Sequence, residues 1–85
     1  MSNFMFMLFI AGMNTKSKRA LKNIKSILSK MNIDYDLITI NLLENIQIAE
    51  TTRIVATPML IRTKPGPIMR FVGDFSNLES DLIVS

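Results

Sequence analysis

The stretch Thr57–Val72, TPMLIRTKPGPIMRFV, decides the fold. Pro58 has no amide hydrogen to give to a ladder, so it belongs at a strand start, an edge or a bulge. A strand beginning at Pro58 and running through Met59 to Thr63 fits that constraint. Pro65-Gly66-Pro67 then turns the chain, and Ile68–Val72 (IMRFV) reads as a returning strand. Met59–Val72 is therefore predicted to form an antiparallel hairpin. Gly73-Asp74 ends it, with Asp74 suited to bonding backbone amides in the turn.

Upstream, Asn45–Glu50 reads as a short helix that needs packing through Ile46 and Ile48 or Ala49 to persist. Tyr35–Leu42 (YDLITINL) is rich in β-branched residues and reads as a strand. Before it, Ala20, Leu21, Ile24, Ile27, Leu28 and Met31 recur at three- and four-residue spacing, which predicts an amphipathic helix capped by Thr15 or Ser17. The opposite face of that helix carries Lys18, Lys22, Lys25 and Ser29, with Lys16 and Arg19 near its start and Lys30 near its end. Phe4–Ile10 (FMFMLFI) is apolar without alternation, as in a central strand covered on both faces, and Gly12 breaks the run. Downstream, Ser76-Asn77-Leu78-Glu79 matches a capping box for a last short helix reaching Val84. Residues 1–85 thus read as one α/β domain of order β-α-β-α-β-β-α, whose first unit is a right-handed parallel crossover. A parallel β-α-β unit followed by a proline-initiated hairpin and a last helix is the thioredoxin-like architecture.

Composition narrows the chemistry. Almost half of the residues (48%) are apolar, as in a globular core, and the sequence contains neither Cys nor His. Disulfides, thiolate nucleophiles, the commonest general base and the soft metal ligands are therefore unavailable. No catalytic residue, metal or cofactor is expected. The net charge of +3 suits an acidic partner surface, but without aromatics along a basic stripe it does not predict nucleic-acid binding. The apolar run Phe4–Ala11 is far shorter than the ~20 residues of a membrane-spanning helix. Only Met1, Ser2 and Asn3 precede it, without the positive flank of a signal peptide, so the expected location is the cytoplasm or an equivalent compartment such as a plastid stroma.

Five ordered blocks add a resemblance. Leu8-Phe9-Ile10-Ala11-Gly12, Ser17-Lys18-Arg19-Ala20-Leu21, Asn45-Ile46-Gln47-Ile48-Ala49-Glu50, Ile54-Val55-Ala56-Thr57-Pro58-Met59-Leu60 and Gly73-Asp74-Phe75-Ser76-Asn77 resemble the KaiB family of cyanobacterial circadian-clock proteins. The likeness runs from about Phe4 to Ile83. It implies a non-enzymatic protein that docks on a KaiC-type ATPase ring, captures KaiA there and competes with the sensory domain of a SasA-type kinase. It also implies fold switching between a thioredoxin-like form and an alternative ground-state fold that assembles as a homo-oligomer, a tetramer or dimer.

Within the resemblance, Arg19, Lys22, Arg53 and Arg70 match basic positions of the family and are expected to contact the partner. Gln47, with Asn45 and Glu50, lies where the family presents polar contacts, although an ordinary helix surface explains these residues equally well. Gly12, Thr57, Pro58, Gly73 and Asp74 are expected to be structural or switch positions. The resemblance favours a cis Thr57-Pro58 bond that shapes the partner-facing surface, whereas the residues alone say only that Pro58 starts a strand. Thioredoxins keep their reactive cysteines at the junction of the first strand and helix, where a helix N-terminus favours a thiolate. Here that junction reads Met13-Asn14-Thr15-Lys16-Ser17, which excludes thiol redox chemistry.

The sequence also departs from the family. The family's Asn-Pro pair is Asn45-Ile46, its acidic residue closing the second strand is Asn41, and its proline-rich turn is Pro65-Gly66-Pro67. The glycine, aspartate and acidic tail that extend the family's last helix have no counterpart here, so the chain reads as C-terminally short and held in one of the two folds. A thioredoxin-like sensory or adaptor module that binds a kinase or stress-response protein outside a clock is the competing function.

Overall fold

A computed structural model describes residues 3–54, 56–73 and 75. Their elements are β1 (Phe4–Ile10), α1 (Thr15–Met31), β2 (Tyr35–Asn41), α2 (Ile46–Thr52), β3 (Met59–Lys64) and β4 (Met69–Val72). The four strands form one sheet in the order β2-β1-β3-β4. β1 and β2 run parallel, with Phe4 opposite Tyr35 and Ile10 opposite Asn41, so the long first helix is the crossover between them. β3 is antiparallel to β1 and to β4, which is the hairpin expected from Pro58 and the Pro65–Pro67 turn.

Alternation along β1 divides the core into two layers. Phe6, Leu8 and Ile10 point to the side where Ala20, Ile24, Ile27 and Leu28 of α1 are buried, together with Leu60 and Phe75. Phe9 points to the other side, where it joins Met59 and Ile61 beneath Ile48 of α2. The uninterrupted apolar reading of β1 follows from this double coverage. Arg62 is fully buried on the α1 side, opposite Phe6 in the β1–β3 register.

Several expectations shift in detail. Asn14, not Thr15 or Ser17, is the N-cap of α1, because its extended backbone directs its side-chain oxygen to the Ser17 amide at 2.9 Å. Asn32 ends the helix in the left-handed conformation. β2 stops at Asn41, one residue before the expected Leu42, and β4 starts at Met69, one after Ile68. The short helix occupies Ile46–Thr52 and not Asn45–Glu50. Within it Ile48 and Ala49 are partly buried, whereas Ile46 is 66% exposed and does not serve as the expected packing residue. The expected last helix, its Ser76–Glu79 capping box and Asp74 lie outside the described residues.

Candidate functional site

The strand register gathers the interelement loops at one pole of the sheet. Ile10 and Asn41, the last residues of β1 and β2, lie side by side, and Phe9 pairs with Met59, the first residue of β3. Met59 in turn pairs with Val72, the last residue of β4. Residues 11–14, 42–45, 56–58 and 73 therefore share this end, and the start of α1 opens from it.

Asn41 ties two of these loops together. Its side-chain oxygen accepts from the Gly12 amide at 3.0 Å and from the Leu43 amide at 3.1 Å, while its carbonyl accepts from the Asn45 side-chain amide at 3.0 Å. A neutral amide oxygen does what any acceptor at this strand end would do, so the departure from an acidic residue costs no hydrogen bond. Gly12 has φ +82, and a Cβ there would meet Leu43 Cδ1 at 3.1 Å. Both facts favour glycine. Gly73, with φ +124, donates its amide to the Pro58 carbonyl at 3.3 Å and thereby closes the hairpin at the same pole.

Thr57-Pro58 is cis. Pro58 is fully buried and Thr57 partly so, which places the proline ring behind the surface and not on it. The polar surface of the pole comes instead from its neighbours. The β1–α1 junction presents Met13 and Asn14 to solvent, and no sulfur nucleophile stands there.

The expected partner-binding residues do not form one patch. Arg19 and Lys22 are exposed in the first two turns of α1, on one side of the sheet. Gln47 is exposed on α2, and Arg53 is the exposed left-handed C-cap of that helix, its amide bonded to the Ala49 carbonyl. Arg70 is exposed on β4 opposite Ile61, which puts it on the α2 side of the sheet with Gln47 and Arg53. The five residues thus flank the sheet from both sides, two on one and three on the other.

Sequence reading missed the apolar part of this pole. Met13 is 51%, Leu43 67% and Ile46 66% exposed. Residues 43–48 line a shallow cavity of about 310 Å³. The signal available in the sequence was the pair Leu42-Leu43 at the strand end, where alternation allows only one of two adjacent side chains to face the core. Among the described residues, no group of three or more His, Cys, Asp or Glu is placed to hold a metal ion, and no helix is long and apolar enough to cross a membrane.

Comparison with known proteins gives a consistent relationship. A family model described as "KaiB domain" matches residues 7–85. The circadian clock oscillator protein KaiB of Thermostichus vulcanus is 42% identical over 81 residues, covering 94% of this chain and 75% of that protein. KaiB of Synechococcus elongatus is 41% identical over 81 residues, covering 94% and 79%. Among solved structures, the N-terminal domain of Synechococcus elongatus SasA superimposes with a TM-score of 0.76 at 25% identity, over 91% of this chain and 75% of that one. A chloroplastic thioredoxin z superimposes with a TM-score of 0.74 at 16% identity, over 96% and 73%, and so shares the fold.

Proposed function

Because the chain belongs to the KaiB family, we propose that it is a circadian clock or clock-derived regulator that binds a KaiC-type ATPase ring, sequesters KaiA there and catalyses no reaction. The observation that carries this reading is the composition of the loop pole. In place of a thiol pair, the pole offers the exposed apolar side chains of Met13, Leu43 and Ile46, with Arg19 and Lys22 close by at the start of α1. Such a surface suits docking, where a dehydrated apolar centre supplies affinity and a charged rim sets approach and register. Gln47, Arg53 and Arg70 form the remaining rim on the α2 side. Gly12, Thr57, Pro58 and Gly73 act as the structural and switch positions behind it, and Asp74 is assigned to the same class. The working unit is a single KaiB-like domain over residues 1–85, located in the cytoplasm or an equivalent compartment.

The test is binding of the chain to a KaiC-type ring from the same genome, followed by calorimetry and pull-down. Replacing Arg19 and Lys22 together by Glu should abolish the complex, and unchanged affinity would refute the assignment. The likeness to the SasA sensory domain supports a second reading, an adaptor that binds a kinase or stress-response protein outside a clock. A genome without any KaiC-type ATPase, with a kinase retained by the chain, would favour that reading.

A further inference from the structure

The two edges of the sheet are finished differently. β4 is four residues long, comes just after Pro65-Gly66-Pro67 and carries Arg70, features that discourage pairing with a further strand. β2, at the other edge, is seven residues long and contains no Pro, Gly, Lys or Arg. Its centre, Ile38-Thr39-Ile40, is wholly β-branched, which favours an extended strand. Among the described residues only β1 pairs with it. The Phe4 amide donates to the Asp34 carbonyl and the Leu42 amide to the Ile10 carbonyl, so the even-numbered residues of β2 turn their backbone groups to β1. Tyr35, Leu37, Thr39 and Asn41 therefore turn theirs outward. The Asn41 carbonyl is taken by the Glu44 amide and the Asn45 side chain, which leaves Leu37 and Thr39 as the open centre of this edge. Between them Ile38 is 46% exposed on the α2 side, beside Met7, and unlike Ile40 it takes no part in the cluster beneath α2.

We infer that this edge pairs with itself: two copies of the thioredoxin-like form join antiparallel through β2, about a two-fold axis at Ile38. A second copy is the occupant because β2 is its own complement. Pairing centred on Ile38 overlaps all seven residues of the strand and sets Leu37 opposite Thr39 on both sides of the axis. Each of those pairs exchanges both backbone bonds, about four in all. The two Ile38 side chains meet at the axis as a pair without hydrogen bonds, the kind in which side chains approach more closely. Asp36, the one charged residue of the strand, falls opposite Ile40 and lies ~13 Å along the strand from its symmetry mate, beyond the ~10 Å screening length of moderate salt. No like charges are therefore opposed. The contact does not use the loop pole, so it does not depend on ring docking there.

The decisive measurement is sedimentation velocity of the full chain between about 5 and about 500 μM, which should show a monomer–dimer equilibrium with a Kd of about 10–100 μM, as suits a small interface. Ile38→Lys opposes like charges at the axis, and Thr39→Pro removes an outward amide while sparing the β1 ladder. Each should weaken the dimer at least about tenfold while circular dichroism shows a folded chain. Val72→Lys, on the edge strand β4 and 55% exposed in the wild type, should dimerise like the wild type. Ile38→Cys, in a chain without cysteine, should oxidise in air to a covalent dimer, because directly opposed residues lie within disulfide reach, whereas Asp36→Cys should not. A wild type that stays monomeric throughout, or folded Ile38→Lys and Thr39→Pro variants that dimerise like the wild type, would overturn the pairing. A monomeric wild type whose Leu37 and Thr39 amides become protected from hydrogen exchange only when a KaiC-type ring or KaiA is added would overturn it in favour of an extended strand of that partner.

Discussion

The two helices lie on opposite faces of one sheet and are held by different means. α1 has seventeen residues, a side-chain cap from Asn14, a left-handed stop at Asn32 and a continuous buried stripe. α2 has seven residues, no side-chain cap bond from Asn45 and no residue that is fully buried. Helices this short are unstable alone, so α2 persists through partial burial of Ile48 against Phe9, Met59 and Ile61 and through its left-handed Arg53 terminus. The comparison teaches that the basic face of α1 rides on a rigid support, whereas the apolar rim around Leu43 and Ile46 rides on a weakly anchored one.

That contrast is open to direct attack by mutation. Leu28→Ala on α1 should destabilise the protein by ~2–5 kcal/mol in urea unfolding, since Leu28 is completely buried. Ile48→Ala on α2, only partly buried, should cost less, and an equal or larger loss would abolish the asymmetry. Gly12→Ala, at the loop that precedes α1 and touches Leu43, should cost ~1–2 kcal/mol because its φ is positive. Asn14→Ala should lower thermal stability by ~0.5–2 kcal/mol, against a smaller effect for Asn45→Ala, which removes an exposed side-chain bond and no cap. Ile46→Ser should change stability by less than ~0.5 kcal/mol, since its side chain is mainly in water, yet weaken partner binding in the same calorimetric assay. A large stability loss there would mean that α2 is held through Ile46 after all.

The same asymmetry accounts for which parts of the fold were legible. In α1, six apolar positions from Ala20 to Met31, over about three turns, fix the phase of the helix without ambiguity. In α2, Ile46 and Ile48 are two residues apart, about 200° around the axis, so both cannot face the sheet. Periodicity over two turns does not choose between them. Contact with Phe9, Met59 and Ile61 chooses Ile48. The caps were displaced for a related reason, because Asn14, Thr15 and Ser17 are all able to cap and only the backbone entering from Gly12 decides which one does. The burial of Arg62 was not legible, since the run Met59-Leu60-Ile61 says that both faces of β3 are covered but not where that coverage ends.

The site divides in the same way. Gly12, Thr57, Pro58 and Gly73 were marked by conformational chemistry peculiar to Gly and Pro, and the register brings all four to one pole. Arg19, Lys22, Gln47, Arg53 and Arg70 were marked by resemblance, and their separation onto two sides of the sheet follows from strand alternation and from which face each helix covers.

The sequence by itself determined the order of the six described elements, the parallel crossover, the hairpin and the absence of thiol chemistry, because each depends on properties that residues carry with them: apolar period, missing amide hydrogen, missing sulfur. Tertiary structure alone decided which isoleucine of α2 is buried, which residue caps α1, that Asn41 joins two loops and that Met13, Leu43 and Ile46 remain in water. Those outcomes depend on competition among several equally suited side chains for places in a packed layer, and only the sheet register settles that competition.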